Sequence, residues 1–531
     1  MPAPADHAVP APPPRRSRWR RLALGAGLLV LCGLAVVAWE LFRHAPFAIP
    51  RAAPAAPDTP VAWWEQPAPL TADEAAGLQW LAEVTCRLPE ARRDEVWKVG
   101  GDQYGVYSIR YQAAFAGYAA AALGMRTPAY PGLTAAILRD TTGRLIDRRA
   151  WSYIQGYWGK KPWFPDPCRR ENVMYSGHLL QLAALYEAAS GDPCFRTAGF
   201  DLVWDGARRT HYTTLSLAEA IAAQIRANPG GGVTCEPGLV FFPCNNHPHV
   251  AFRLLEGMGL GNWAPERAKW EPWALATYQA TAGGGAVRIL YHAPTGASVP
   301  RGNNGLDGWS LLWYAPWAAD PATPAALWPL VRDRIAWGEF GDTPCDRPMP
   351  LVHANCCRPV QVPPAPTASF LAAAARACGD PATAGRLEAW LDRHFARRQG
   401  GRFWLDTHPE WRVGTTANRL LALAQANGSD LRALALRPLP RDYFRGLLLD
   451  QVVPDTTPVF AAYRDGTGLV LELDAQGRAA VLGLRNAPAR LAVSGLPAGS
   501  WHWDAAAGHL TLPPAHRLRL HLTPLPPDPT P

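Results

Sequence analysis

Residues 171–190 read ENVMYSGHLLQLAALYEAAS, and Gly191 follows them. Met174, His178 and Leu182 recur in this stretch at four-residue spacing, which places them on one face of a helix. Glu171 is expected in the first turn of this helix, where the positive end of the helix dipole favours an acidic side chain. The stretch therefore predicts a long helix that ends at Gly191.

Helical patterns of this kind continue along most of the chain between about residues 70 and 430. The predicted helices are 72–86, 106–123, 129–142, 171–190, 215–228, 247–258, 268–280, 306–317, 324–337, 367–378, 382–397 and 414–427. Twelve helices make six hairpins, and the period alone allows either a superhelical stack or a closed ring.

The sequence pattern changes after residue 441. Short apolar runs alternate there with turn signals such as Asp465-Gly466 and Asp474-Ala475-Gln476-Gly477, which predicts β-strands. The predicted strands are Val459–Arg464, Gly468–Leu473, Ala479–Leu484, Ala489–Ser494 and His516–Leu522. This region is expected to form a small antiparallel β domain over residues 441–525.

Length and composition indicate a globular protein of more than one unit. The 531 residues are too many for one compact core, and 48% are hydrophobic while 18% are charged. The net charge of +8 does not indicate nucleic-acid binding, because about half of the excess comes from arginines in residues 15–21. No nucleic-acid partner is therefore expected.

The uncharged run Leu22–Trp39 is close to the minimum length for a membrane-spanning helix. The arginines before it predict a single-pass anchor in the inner (cytoplasmic) bacterial membrane, with the remainder on the periplasmic or extracytoplasmic side. A cleaved signal peptide is the alternative, although its apolar core is usually shorter. The predicted division is a basic tail (1–21), the anchor (22–42), a Pro/Ala-rich linker (43–62), a helical catalytic domain (63–440), the β domain (441–525) and a short tail (526–531).

Nine cysteines follow the predicted anchor, an odd number, so at least one free thiol is expected. An oxidising compartment would permit disulfides, for example Cys168–Cys194 or one that involves Cys345, Cys356 or Cys357. The sequence does not determine the pairing.

Thiol, imidazole and carboxylate side chains occur together in two segments. Cys235 and Glu236 follow a glycine run, where the backbone can approach a ligand closely. Cys244 precedes the predicted helix 247–258, which Asn246 is expected to cap, and a helix N-terminus favours the thiolate form. A buried structural cysteine, or a core histidine in the case of His178, is the simpler interpretation of each residue alone.

A zinc site formed by Cys244, His247 and His249 is a further alternative. No second pair of ligands at zinc-finger spacing accompanies these residues, so no metal is expected. His247 and His249 are instead expected to lie at the start of the helix.

Several segments together resemble the linalool dehydratase-isomerase family. They are Ile109-Arg110-Tyr111 with Phe115, Glu171-Asn172-Val173-Met174-Tyr175-Ser176-Gly177-His178-Leu179, Ala227-Asn228-Pro229, Val233-Thr234-Cys235-Glu236-Pro237, Cys244-Asn245 and Tyr291-His292-Ala293-Pro294-Thr295-Gly296-Ala297. Order and spacing agree over some two hundred residues. The resemblance implies a mainly α protein with an (α/α)6 barrel of six helical hairpins. It also implies a periplasmic homo-oligomer and cofactor-free dehydration and isomerisation of a monoterpene alcohol.

The resemblance also implies the residues of the site. The expected catalytic residues are His178, Cys235, Glu236, Cys244 and Tyr111, and the expected substrate-binding residues are Met174, Tyr291, His292, Asp307 and Trp309. Dehydration requires an acid for the leaving hydroxyl and a base for the C–H proton, which these side chains can supply. The expected substrate is a small apolar alcohol, terpenoid or allylic, and no cofactor is expected.

The chain departs from the family pattern in two places. An aspartate, a tyrosine and a cysteine expected before Tyr111 do not align, and Asp102, Tyr104 or Cys86 are candidate replacements. Asp307 also stands where the family has a tyrosine of the pocket. These differences predict a substrate other than linalool.

Two other classes of function are compatible with the sequence. Helical barrels with β appendages also process polysaccharides, but those enzymes depend on paired carboxylates rather than on thiols and an imidazole. A membrane-tethered binding protein without catalysis is the other alternative, and it would not require the His, Cys and Glu set.

Overall fold

The computed structural model describes residues 16–42, 62–97, 109–154, 166–278, 290–298, 304–342, 349–351, 360–362 and 364–526. Within them the protein is mainly helical. The longer helices are α1 (Arg16–Phe42), α2 (Ala72–Val84), α3 (Ile109–Gly124), α4 (Pro131–Ile146), α5 (Val173–Ser190), α6 (Thr214–Ala227), α7 (Phe242–Gly257), α8 (Ala264–Tyr278), α9 (Asn304–Tyr314), α10 (Ala322–Arg332), α11 (Pro364–Ala377), α12 (Pro381–Phe395) and α13 (Pro409–Ala426). Each of the twelve predicted helical ranges overlaps one of the helices α2 to α13.

Several predicted helix starts are too late, for example 414 where α13 begins at Pro409, and two wrong starts concern the candidate site. Helix α5 begins at Val173, because Glu171 and Asn172 have left-handed backbones with φ of 61° and 62°, so Glu171 lies outside the first turn. Helix α7 begins at Phe242 rather than at 247, with a proline in its first turn, where a missing N–H costs no helical hydrogen bond. Cys244 therefore lies within the first turn of α7, and Asn246 is a helical residue rather than a cap.

Six of the helices form a closed cycle of neighbours. Helix α3 packs against α5, α5 against α7, α7 against α9, α9 against α11, α11 against α13, and α13 returns to α3. The intervening helices α2, α4, α6, α8, α10 and α12 each pack against members of this cycle. The two sets alternate along the chain.

Helices α5 and α6 differ in how they are buried. Nearly every residue of α5 is buried, including its polar side chains, as in a helix surrounded on all sides. In α6, burial follows the spacing of Leu217, Ile221 and Ile225, which lie on one face. Helix α5, in the cycle, is thus enclosed, whereas α6, which packs against the cycle, is amphipathic.

Hydrogen bonds between α3 and α13 close the cycle. The side-chain oxygen of Gln112 accepts a bond from the backbone N–H of Gly414 at 2.6 Å, and its amide nitrogen donates to the carbonyl of Glu410 at 2.6 Å. These residues are about 300 positions apart in sequence. Gln112, the residue after Tyr111, thus joins the first helix of the cycle to the last.

Short strands accompany the helices. They are β1 (Phe200–Val203), β2 (Arg209–Tyr212), β3 (Leu239–Phe241), β4 (Leu290–His292), β5 (Ala297–Ser298), β6 (Met349–Leu351), β7 (Val360–Val362), β8 (Ala396–Gln399) and β9 (Arg402–Leu405). Antiparallel pairs join β1 to β2, β6 to β7 and β8 to β9, and β3, β4 and β5 form a three-stranded sheet.

The C-terminal region forms an antiparallel sheet, as predicted. Its strands are β10 (Leu448–Val453), β11 (Val459–Asp465), β12 (Gly468–Arg485), β13 (Arg490–Ser494), β14 (His502–Asp504) and β15 (His509–Leu525). The order is β10-β12-β15-β13, while β11 also pairs with β12 and β14 with β15.

One predicted turn in this sheet is wrong. The segments Gly468–Leu473 and Ala479–Leu484 belong to a single strand, β12, and the residues between them form a bulge opposite β15. Gln476 and Gly477 have φ of 56° and 73°, which explains why this bulge carries turn-type residues. The predicted strand His516–Leu522 forms part of a longer strand, β15.

The sheet is bonded closely to the helices. The backbone N–H of Leu449 donates to the carbonyl of Ala129 at 2.8 Å, and the N–H of Ala129 donates to the carbonyl of Ala462 at 2.9 Å. A Cβ atom on Gly132 would lie 1.7 Å from the carbonyl oxygen of Asp450, so only glycine fits at this point of α4. The sheet therefore packs on α4 through backbone contacts.

Helix α1 is long and apolar enough to cross a membrane. Its segment Leu22–Trp39 has a mean hydropathy of 2.4 and is exposed along its length. An N-terminal signal sequence can also be this long and this apolar.

The seven cysteines of the described residues are free thiols, and Cys168 is not bonded to Cys194. Cys345, Cys356 and Cys357 lie outside the described residues. The disulfide considered for Cys168 and Cys194 is therefore absent from this structure.

Candidate active site

The first two turns of α3, α5 and α9 bring several of the predicted site residues together. Tyr111, His178 and Trp309 come from three of these helices, and their rings contact one another. Ring centroids are 5.5 Å apart for Tyr111 and His178 and 5.2 Å apart for Tyr111 and Trp309. The cycle of helices therefore brings together residues that are far apart in sequence.

Asn245 fixes the loop that carries Cys235 to the start of α7. Its side-chain oxygen accepts from the N–H of Val233 at 2.8 Å, and its amide donates to the carbonyls of Val233 and Phe241 at 3.0 and 2.8 Å. The N–H of Val173, the first residue of α5, donates to the carbonyl of Thr234 at 3.2 Å. The loop is thus attached to both helices beside Cys235.

This arrangement places the thiols of Cys235 and Cys244 beside each other, and both residues are buried. Burial raises the pKa of Cys235 well above its usual value, and the neighbouring Cys244 and the charge of Glu236 raise it further. Cys235 is therefore a protonated thiol rather than a thiolate. Glu236 is 3% exposed, next to it in the same loop.

A glycine allows α5 and α7 to approach closely. A Cβ atom on Gly177 would lie 2.8 Å from Cδ of Pro248 and 3.5 Å from the carbonyl oxygen of Cys244. Pro248 has no N–H, so it donates no helical hydrogen bond to the carbonyl of Cys244. Gly177 thus sets the distance between His178 and the first turn of α7.

His178 belongs to a buried network of neutral hydrogen bonds. The hydroxyl of Tyr118 lies 2.8 Å from Nδ1 of His178 and 3.5 Å from Nδ1 of His247. Nδ1 of His247 lies 2.7 Å from the side-chain oxygen of Gln181, and the indole N–H of Trp309 donates to Nε2 of His247 at 2.9 Å. The centroids of the two imidazoles are 3.8 Å apart.

Burial sets the charge of these groups. It lowers the pKa of His178 well below its usual value, and the Arg110 guanidinium lowers it further. Burial and the neighbouring His178 lower the pKa of His247 in the same way. Burial also raises the pKa of Tyr118 well above its usual value. At neutral pH all three groups are therefore uncharged.

Aromatic rings surround the imidazole of His178. Phe115 lies 6.0 Å from it between centroids, and Trp309 stacks on Phe370 at 5.4 Å with an interplanar angle of 4°. Tyr111 stacks on Phe115 at 6.3 Å. These side chains give the cluster apolar walls that exclude water.

Arg110 brings a positive charge to the edge of the cluster. Its guanidinium lies 4.3 Å from the ring centroid of Tyr111 and 4.7 Å from that of Tyr153, and it donates to the sulfur of Met174 at 3.6 Å. The residue is fully buried. Met174 and Tyr111 are thus held by the same cation–π and sulfur contacts.

A family model described as linalool dehydratase/isomerase matches residues 110–411. The chain belongs to the linalool dehydratase/isomerase family. The matched segment contains every residue of the cluster described above, while α1 and the C-terminal sheet lie outside it. This is a family of enzymes, and membership supports a dehydratase- and isomerase-like function in general terms.

The other residues predicted from the resemblance to this family make different contacts. Tyr291 packs edge-on against Trp273, with centroids 4.9 Å apart. Nδ1 of His292 lies 2.7 Å from the hydroxyl of Thr295 in the turn that follows β4. The first contact joins β4 to α8, and the second lies within the turn between β4 and β5.

Asp307 is buried, although it is charged. A guanidinium nitrogen of Arg334, in the segment after α10, lies 3.4 Å from its carboxylate. The ion pair makes this part of α9 polar.

Three residues of the network were not among the predicted site residues, namely Tyr118, Gln181 and His247. Tyr118 lies seven residues after Tyr111 on α3, and Gln181 lies seven after Met174 on α5, so each shares a helix face with a predicted residue. That spacing is the signal by which they could have been found.

None of the candidate replacements for the expected aspartate, tyrosine and cysteine is found beside Tyr111 in the described residues. Asp102 and Tyr104 lie outside the described residues, and Cys86 is exposed after the end of α2.

The zinc alternative lacks support in the part of the chain that the structure describes, where no three His, Cys, Asp or Glu side chains are grouped to hold a metal. His249, a ligand in that hypothesis, instead packs its ring 4.7 Å from Trp317 between centroids. His247 and His249 also lie inside α7 rather than at its start.

Proposed function

We propose that the protein is a membrane-anchored lyase and isomerase that dehydrates and isomerises a small apolar alcohol, terpenoid or allylic, by acid–base chemistry without a cofactor. The observation that carries this proposal is the family match over residues 110–411, together with the burial of His178, Cys235, Cys244 and Glu236 inside it. Catalysis is assigned to these residues with Tyr111, and substrate contacts to Met174, Tyr291, His292, Asp307 and Trp309.

The reaction requires two proton movements. In dehydration the C–O bond breaks with its electron pair on oxygen, a proton converts the hydroxyl into water, and a neighbouring C–H bond gives up its proton as the double bond forms. Cys235 holds its proton because burial raises its pKa, so this thiol can supply the first proton. Glu236 and Cys244 adjoin it and are the candidates for accepting the second. Isomerisation returns water to the other end of the allylic system.

The walls of the cluster suit such a reaction. Loss of water from an allylic alcohol leaves a carbon centre with positive character, and the faces of aromatic rings attract positive charge. Tyr111, Phe115 and Trp309 supply such rings, and Phe370 stacks behind them. Dry walls also prevent bulk water from capturing the intermediate.

The buried Asp307–Arg334 pair supports a substrate other than linalool. A charged pair interacts with a polar substituent, whereas the tyrosine of the family presents a phenol. We therefore propose an alcohol that carries a further polar group or a different chain length.

The arrangement of the chain supports the remaining parts of the proposal. The closed cycle of alternating helices supports an (α/α)6 barrel over residues 63–440, followed by a β domain over residues 441–525. The apolar α1 supports a single anchor in the inner membrane, with residues 60–531 on the periplasmic side. Assembly as a homo-oligomer is part of the same proposal.

Reporter fusions after residue 60 test the topology. A reporter that is active only outside the cytoplasm is expected to be active there. Activity of a cytoplasmic reporter at the same position would contradict the proposed orientation.

The reaction is tested with the detergent-solubilised full chain and a panel of tertiary and primary allylic alcohols, with products separated by chromatography. The expected result is the alkene, the rearranged alcohol, or both, formed without any added cofactor. Turnover that survives both His178→Ala and Cys235→Ala would place the chemistry elsewhere. Cleavage of oligosaccharides alone would replace this proposal by the polysaccharide alternative.

A further inference from the structure

The hydrogen-bond network around His178 determines where its protons lie. The indole N–H of Trp309 can only donate, so Nε2 of His247, 2.9 Å away, must accept. His247 is neutral because burial lowers its pKa, and its one proton is therefore on Nδ1. That proton is given to the side-chain oxygen of Gln181 at 2.7 Å.

The proton of Tyr118 then has one acceptor. Nδ1 of His247 already carries a hydrogen and lies 3.5 Å away, whereas Nδ1 of His178 lies 2.8 Å from the phenol oxygen. Tyr118 keeps its proton because burial raises its pKa. Its hydroxyl therefore donates to Nδ1 of His178.

His178 is neutral, and its Nδ1 is an acceptor, so its single proton is on Nε2. Nε2 is buried and has no hydrogen-bond partner among the residues that the structure describes. A buried N–H without a partner costs free energy unless a bound molecule accepts from it. The Nε2–H of His178 is thus an unsatisfied donor among the aromatic rings of Tyr111, Phe115 and Trp309.

We propose that the hydrogen bond from Tyr118 holds His178 in the Nε2–H form. His178 then donates a hydrogen bond to the substrate's hydroxyl oxygen and does not accept the C–H proton. The hydrogen bonds among His247, Gln181 and Trp309 determine the direction in which Tyr118 donates. This inference rests on the proposed function. His178 then contacts the substrate as a neutral donor, in the way that neutral imidazoles polarise oxygen in other enzymes. Tyr118, His247, Gln181 and Trp309 are positioning residues, which act through His178.

Protonation of His178 can be measured without any substrate. In the full chain labelled with 15N-histidine, the signals of His178 are identified by their loss in His178→Gln. The expected pattern at pH 7 is a protonated Nε2 and an unprotonated Nδ1. A proton on Nδ1, or on both nitrogens, would overturn the inference whatever the enzyme acts on.

Kinetics give the second readout. Tyr118→Phe removes the hydroxyl that holds the tautomer and is expected to lower kcat by about tenfold to a hundredfold with little change in KM, as for other residues that orient a catalytic group. The matched control is Tyr175→Phe. It removes a buried hydroxyl that donates to the carbonyl of Leu145 at 2.8 Å and lies outside the network, although Tyr175 is on α5 with His178. It is expected to change kcat by less than about threefold. Equal effects of the two substitutions would refute the positioning role.

A glutamine can replace a neutral donor but not a base. The amide of His178→Gln can accept from Tyr118 and donate to the substrate, so this variant is expected to turn over about tenfold faster than His178→Ala. Glutamine and alanine variants of equal activity would contradict donation by His178. If the wild type acts on none of the alcohols, the proposed function fails, while the 15N spectrum still decides the tautomer.

Discussion

Helix α5 has different surroundings at its two ends. At its start, His178 lies among aromatic rings and neutral hydrogen bonds, away from water. At its end, Glu187 pairs with Arg196 at 2.9 Å, beside a cavity of about 440 Å³ that Gly191, Met258 and Phe444 help to line. This cavity therefore lies at the end where polar groups are paired as ions. The dry end, in contrast, holds protons at defined atoms, which is what acid–base chemistry needs.

The largest effect is expected at the start of α5. His178→Ala should lower turnover by about a hundredfold or more, the usual cost of losing a group that acts directly on the substrate. Because the imidazole is fully buried and bonded to Tyr118, the free energy of unfolding should also fall by about 2–4 kcal/mol. Turnover per folded molecule, with the folded fraction taken from circular dichroism, checks this. A loss that merely follows the unfolded fraction would remove His178 from the mechanism.

Acid should destabilise the protein through its buried histidines. The pKa values of His178, His247 and His249 are all well below the usual value, because burial disfavours the charged ring. Their contribution to stability is therefore complete above about pH 6.5 and is lost as the pH falls, because only the unfolded chain binds the protons. The expected loss is about 1 kcal/mol per pH unit for each histidine.

Urea unfolding between pH 7.5 and 5 measures this dependence. His249→Phe keeps a ring against Trp317 and removes one of the three groups, so it should reduce the slope by about one third. A slope that His249→Phe leaves unchanged would mean that this residue is protonated in the folded protein.

A substitution at the contact between α5 and α7 should have an effect of intermediate size on stability and turnover. Gly177→Ala places a Cβ 2.8 Å from Pro248, so the helices must separate slightly, and we expect a loss of about 1–3 kcal/mol in stability. Turnover should fall by about tenfold, because His178 moves relative to Cys244. Gly143→Ala on α4 is the control, since a Cβ there meets nothing within 4 Å and alanine favours the helix. Equal stability of the two variants would show that the contact is not tight.

The smallest effect on activity is expected at the far end of α5. Glu187→Gln weakens the pair with Arg196 and should cost about 1–2 kcal/mol of stability, because Arg196 is partly exposed and can still be hydrated. Its kcat should equal that of the wild type. A large loss of turnover would instead show that the cavity at this end of α5 takes part in the reaction.

The sequence allowed all twelve helices of the cycle and its surroundings to be predicted, because a 3.6-residue period reports burial directly. The predictions failed where the same residue type is common in two kinds of local structure. Asn246 was expected to cap α7, but Pro243 begins the helix earlier and Asn246 instead donates to the carbonyl of Ser310. Residues 474–477 have turn composition, and the pairing of β12 with β15 makes them a bulge.

The sequence predicted residues of the candidate site better than the hydrogen bonds that join them. His178, Cys235 and Cys244 stand in segments whose composition already suggested chemistry. The partners of His178 come from α3 and α7, and a hydrogen bond between helices depends on their relative rotation and distance, which no local pattern contains. Tyr118 is recognisable as a member only once α3 and α5 are placed side by side.

The bonds of Gln112 to Glu410 and Gly414 have a consequence for synthesis and export. They join the two ends of a cycle about 300 residues long, and Tyr111 stands beside this joint. The proposed site is therefore complete only when the chain as far as Gly414 has emerged from the ribosome and, in the proposed topology, has left the cytoplasm. A chain that stalls in transit would carry His178 and both thiols yet lack a closed ring around them. The order of assembly would thus keep the thiols and the imidazole inactive until the protein reaches its compartment.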